Sequence, residues 1–175
     1  MTTELQRVTT TYVETEDRLR LSGELAPSQT VVLWLTQRLC NRLLPPLFAW
    51  LEGQTIGQAS VARAEAHAEL LQGFAQQAAR AQLPAAPPVE ATAPSAIWRV
   101  ETVDITRAPT AVRLTFKSDA GEAIRLLLTS QALRQWLGIV FDQYVKAEWP
   151  TAIWPVWMVD SSPVKAQAAG GRALH

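Results

Sequence analysis

One cysteine and two histidines in 175 residues leave little of the usual material for catalysis or metal binding. Cys40 has no second cysteine to pair with, which excludes an intramolecular disulfide and the stapled scaffold of a small secreted protein. It sits next to Leu39 in an apolar helix, where cysteine behaves as a small buried hydrophobe rather than an activated nucleophile. A protein metal site needs several His, Cys or carboxylate ligands converging at set spacings. His175 is the last residue, and His67 sits in Arg63-Ala64-Glu65-Ala66-His67-Ala68-Glu69, which places no second ligand pair on its helical face.

Other motifs are missing as well. No Gly-x-Ser-x-Gly turn is present, and neither Gly53 nor Gly57 leads into the Gly-Lys-Ser/Thr ending of a phosphate loop. Glu14, Glu16 and Asp17 fall in a turn between strands, and Glu101 and Asp104 flank an edge-like strand, so both groups read as solvated carboxylates. No catalytic, cofactor-binding or metal-ligating residue is assigned, and an enzyme is not expected.

Charge of one sign is not in excess: sixteen Lys and Arg balance sixteen Asp and Glu. Proteins that live on phosphate contacts usually show a basic surplus, so a general nucleic-acid coat is disfavoured. Long hydrophobic runs are absent too. The longest, Leu43 to Leu51, is nine residues with two prolines, against the roughly 20 needed to cross a bilayer. Met1 to Arg7 has no signal-like apolar core. A cytoplasmic protein that does not enter membranes is expected.

What is present suffices for a core, since 48% of residues are hydrophobic. The chain also resembles itself. Over a shift of 93 positions, residues 19–51 and 112–144 share seven identities in 33: Arg20, Leu21, Leu33, Leu35, Thr36, Leu44 and Phe48 with their partners. Each half reads as three strands and a helix. In the first, Val8 to Glu14 alternates, Arg18-Leu19-Arg20-Leu21 sends leucines inward, and a turn at Ala26 to Gln29 leads into the apolar run Thr30 to Leu35. A strand apolar on both faces is normally covered on both sides. In the second, strands are expected at Trp98 to Thr106, Ala111 to Lys117 and Ala123 to Leu128. A turn at Asp119-Ala120-Gly121 joins the last two.

Thr36 and Thr129 each stand where a strand ends and a helical period begins, as N-caps do. Leu133, Trp136, Leu137, Val140, Phe141 and Tyr144 form one stripe of a helix from Ser130 to Glu148. The first helix, Gln37 to Leu51, contains Pro45-Pro46, which predict a break or kink after Leu43. An alanine-rich helix over 56–83 connects the halves, with Val61, Ala68, Leu71, Ala75 and Ala78 as its packing face. A Pro/Ala linker follows at 84–96. The predicted fold is α+β: one domain over 1–160, with two βββα repeats at 6–52 and 97–148 related by a pseudo-twofold. They form one mostly antiparallel sheet or two packed sheets, and 161–175 is a tail.

Seven tryptophans are the unusual feature. Trp34, Trp98 and Trp136 are placed in the core, whereas 149–158 reads as an extended arm broken by Pro150 and Pro155. Its Trp149, Ile153, Trp154, Trp157 and Met158 form the candidate interaction surface if the arm does not fold back over the sheet, because Trp is favoured at interface hot spots. The expected function is a non-enzymatic interaction or scaffold protein that forms a homodimer, through this arm or the alanine-rich helix. The alternatives are a single-strand nucleic-acid accessory protein, using Arg18, Arg20, Arg99, Arg113 and Arg125 beside exposed aromatics on one sheet face, or a small-ligand-binding protein.

Overall fold

Alternation decides which way each strand faces, and the hydrogen-bond ladders decide which sheet it joins. The computed structural model describes residues 3–26, 28–54 and 61–162, with backbone alone for 61–65. The expected helix start at Ile56, the middle of the Pro27 turn and the tail beyond Ser162 lie outside the described residues.

The strands are β1 (Thr3–Glu4), β2 (Arg7–Val13), β3 (Arg18–Ala26), β4 (Gln29–Leu35), β5 (Ala96–Arg99), β6 (Thr102–Arg107), β7 (Ala111–Lys117) and β8 (Ala123–Thr129). The helices are α1 (Gln37–Gly53), α2 (Val61–Ala81), α3 (Ser130–Lys146) and the single turn α4 (Val156–Val159). The fold is α+β, with two four-stranded mixed sheets ordered β2-β3-β4-β5 and β1-β8-β7-β6. In each sheet three strands are antiparallel, and the fourth, a short strand from the other half of the chain, pairs in parallel.

Each sheet therefore has four strands rather than three, because the halves exchange short strands. Sequence periodicity merges β5 and β6 into one strand at Trp98 to Thr106, but the ladders separate them. The Val100 amide donates to Trp34 O in the first sheet, and the next amide, Glu101, donates to Lys117 O in the second. Leu5 and Gln6 make the reverse passage, donating to Arg125 O and Glu24 O. Gly23 lies beneath that crossing, where any Cβ would overlap the Leu5 side chain.

Inward rows run across the first sheet as Thr10–Leu21–Leu33–Trp98 and across the second as Ile105–Leu114–Leu126. One cluster of buried residues joins both sheets to α1, α3 and α4. Trp136 Nε1 on α3 donates to Thr10 Oγ1 on β2, while Trp50 Nε1 on α1 donates to Ala108 O just beyond β6. Each long helix thus reaches the sheet of the opposite half.

Both threonine caps form: Thr36 Oγ1 accepts from Leu39 N and Thr129 Oγ1 from Ala132 N, each at 3.2 Å. The predicted break at Pro45-Pro46 does not occur, and α1 is continuous through both prolines. A proline inside a helix costs about 3 kcal/mol. Here Leu43, Leu44, Leu47, Phe48 and Leu51 are buried on the opposite face, each worth roughly 1.5–3 kcal/mol. Burial outweighs the local penalty.

Candidate interaction surface

The tryptophan-rich arm folds back over the α1/α3 pair. Glu148 takes a left-handed conformation after α3, which reverses the chain. Trp149 then meets Tyr12 and Tyr144 edge-on and donates from Nε1 to Asp17 Oδ1 at 3.0 Å. Trp154 packs among Phe48, Phe141 and Tyr144 with ring centroids 5.1–5.2 Å apart. Trp157 donates to Glu52 Oε1 and lies against Phe48. Trp149, Trp154, Trp157 and Met158 are buried and Ile153 is half-buried. The residues of the candidate arm surface are thus core. Nor is the arm extended throughout, since Val156–Val159 forms a turn of helix.

Helix α2 does the opposite. Leu70, Leu71 and Phe74 are 55%, 40% and 58% exposed, while Gln72 and Gln76 are 2% and 0%. Its inner face meets α3 through polar groups. Gln72 Nε2 donates to Leu51 O, Gln76 Nε2 to Arg134 O at 2.8 Å, and Gln135 Nε2 on α3 to Ala79 O. Arg134 donates to the carbonyl and the side-chain oxygen of Gln72 and lies over the Trp157 ring. Among the described residues no carboxylate pairs with it, and burial lowers its pKa to about 10. Arg80 lies across Gly138, donating to its carbonyl and pairing with Asp142 at 3.2 Å. The predicted packing face is corrected at two positions: Leu71 and Ala78 point to solvent, Ala68 and Ala75 are half-buried, the side chain of Val61 is outside the described residues, and the fully buried stripe is Gln72, Gln76 and Ala79.

A groove of about 310 Å³ runs between α2 and α4, lined in part by Leu70, Gly73, Phe74, Val156 and Trp157. Gly73 has open space where a side chain would stand. Val156, across the groove, is 57% exposed.

The candidate arginines occupy two sheets. Arg18, Arg20 and Arg99 lie on the outer face of the first, where Thr11, Arg20, Trp34 and Arg99 form one cross-strand row. Arg113 and Arg125 lie on the outer face of the second, with Asp104, Thr115, Arg125 and Glu4 in one row. Trp34, placed in the core from its apolar neighbours, is outward and half-buried. The linker covers only part of the first sheet: Val89 N donates to Thr9 Oγ1, Arg7 donates to Pro87 O, and Thr92 N donates to Thr30 Oγ1.

Cys40 is buried and its thiol is pushed up to about 12 by desolvation, which leaves it a thiol at neutral pH. His67 is exposed on α2. Among the described residues no group of three or more His, Cys, Asp or Glu side chains converges, and no helix is long and apolar enough to cross a membrane. No protein-family model matches the sequence, and neither a curated protein nor a solved structure matches it.

Proposed function

We propose that the chain is a cytoplasmic, non-enzymatic interaction protein that pairs with a second copy of itself through the outer face of α2. The observation that carries this reading is the inverted helix: Leu70, Leu71 and Phe74 face solvent while Gln72 and Gln76 face the protein. Contiguous exposed apolar side chains on a folded chain mark contact sites. A second copy suits this face for two reasons. None of its outward positions from Leu70 to Leu83 is charged, so the carboxylates that like faces bring to the contact are Glu69 and Asp160, which line the recess. The face also holds both a projection, Phe74, and a recess beside Gly73 and Val156, the self-complementarity that an isologous two-fold contact requires.

Solution mass across a concentration series tests this. The expected result is a dimer for the intact chain and a monomer of unchanged circular dichroism for Phe74→Glu. An intact chain that stays monomeric at its highest soluble concentration overturns the proposal.

The two halves also fit a duplicated unit related by a pseudo-twofold. Helices α1 and α3 have equal lengths of 17 residues and begin 93 positions apart. After the same shift the β3–β4 register, Leu19↔Leu35, falls on that of β7–β8, Val112↔Leu128.

A further inference from the structure

The outer face of the first sheet carries a second, independent feature. Its two halves differ. At one end Glu24 pairs with Arg7 at 3.3 Å, and Val89 and Thr92 of the linker bond across it. At the other end no linker bond is made among the described residues, and the outward strand positions are Thr11, Val13, Arg18, Arg20, Trp34 and Arg99, with no carboxylate among them. Trp34 has Arg20 beside it on β3 and Arg99 beside it on β5. Adjacent strands lie about 4.8 Å apart, so the two arginine positions flank the tryptophan position across a span of roughly 10 Å. Ile97, diagonal to Trp34, is 63% exposed and widens the platform.

The charges there are only lightly engaged. Arg20 uses Nε on Ser22 Oγ at 3.2 Å, and its terminal nitrogens have no partner among the described residues. Arg99 pairs with Glu101 and Arg18 with Glu16 at 3.3 and 3.9 Å, all at side chains at least 36% exposed. Such exposed pairs contribute little and yield to a stronger anion. The second sheet has no such site. Its outward face mixes Asp104 and Glu4 with Arg125, pairs Lys117 with Asp104, and sets Leu127 beside Arg113 where the first sheet has Trp34 beside Arg20.

We propose that the bare half of this face binds single-stranded nucleic acid, with Trp34 stacking on an unpaired base and Arg18, Arg20 and Arg99 meeting the flanking phosphates. An aromatic ring serves any base, because every base has a π-face, and guanidiniums follow the backbone without reading sequence. A duplex keeps its base faces stacked inside and offers phosphates alone. With three phosphate contacts on a chain of zero net charge, log affinity falls with log salt at a slope of about −2. This site shares no residue with the outer face of α2, so either proposal stands if the other fails.

The test is fluorescence anisotropy with a labelled mixed-pyrimidine single strand of roughly 16 nucleotides, long enough for one such site. Affinity is expected to fall about 20-fold between about 50 and 200 mM salt. Trp34→Ala is expected to weaken binding roughly tenfold with the salt slope kept, and Trp34→Phe to retain most of it. Arg20→Ser, at a half-buried position, and Arg99→Ser, at an exposed one, should each lower the slope by about 0.7. Arg125→Ser on the other sheet should change nothing. The proposal is overturned by absence of binding at the lower salt. Equal competition by duplex or by an acidic peptide overturns it too, as does an Arg125→Ser loss equal to that of Arg20→Ser.

Discussion

The tryptophan-rich arm and helix α2 exchange the roles their compositions suggest. The arm holds three tryptophans within nine residues and two prolines, and has the look of an interface. It is core. Helix α2, rich in alanine, has the look of a close-packed connector, yet it docks by glutamines and arginines and shows its leucines and phenylalanine to water. Apolar content therefore says how much surface wants cover, and the neighbouring elements say where the cover comes from. The arm emerges from α3 beside a gap between Phe48, Phe141 and Tyr144 that aromatic rings fill. Helix α2 meets a side of α3 that presents Arg134, Gln135, Gly138 and Asp142, and Gln72, Gln76 and Arg80 answer it with hydrogen bonds beside the buried Ala79.

Removing the arm's anchor should have the largest effect. Trp154→Ala empties a site walled by three aromatic rings and is expected to cost about 3–5 kcal/mol in denaturant unfolding. A loss under about 1 kcal/mol would return the arm to the surface. Next comes the polar seam. Gln72→Ala removes the side-chain acceptor of the buried Arg134, though not the backbone one, and the donor to Leu51 O, and about 2 kcal/mol should be lost. Were the seam incidental, calorimetry would find the variant unchanged.

Gly73→Ala probes the other side of α2 with a smaller change of opposite sign. Nothing within 4 Å opposes the added methyl, so the monomer should gain up to about 1 kcal/mol from helix propensity. If Gly73 lies at the proposed two-fold contact, the same substitution weakens association, and a sedimentation series reads the two effects separately. Smallest of all, Leu70→Gln and Phe74→Gln should leave unfolding of the monomer within about 0.5 kcal/mol of the parent. A larger drop would mean that α2 buries these side chains within its own chain.

Sequence reasoning reached the two capped helices, the three long strands of the first half, the last two strands of the second and the inward leucines because those signals are local. A threonine hydroxyl caps the turn that follows it, and Leu19 and Leu21 alternate with Arg18 and Arg20 over four residues. It placed Trp34 in the core because Val31 to Leu35 is apolar throughout, while the sheet is covered on that side only where the linker crosses. It left β1 unseen because two residues carry no periodicity. The Arg20–Trp34–Arg99 row was half legible: the arginines stood out, but the cross-strand register that sets Trp34 between them belongs to two ladders, one of which joins residues 65 positions apart.

By itself the sequence determined the class of fold, the helix starts and the apolar stripe of α3, since backbone hydrogen bonds and side-chain period act within a few residues. Tertiary structure alone decided three things: which sheet each short strand joins, that α1 continues through two prolines, and which apolar side chains remain in water. Burial depends on what stands opposite in space. The free energy of covering Trp154 or leaving Phe74 bare is set by elements far away in the chain.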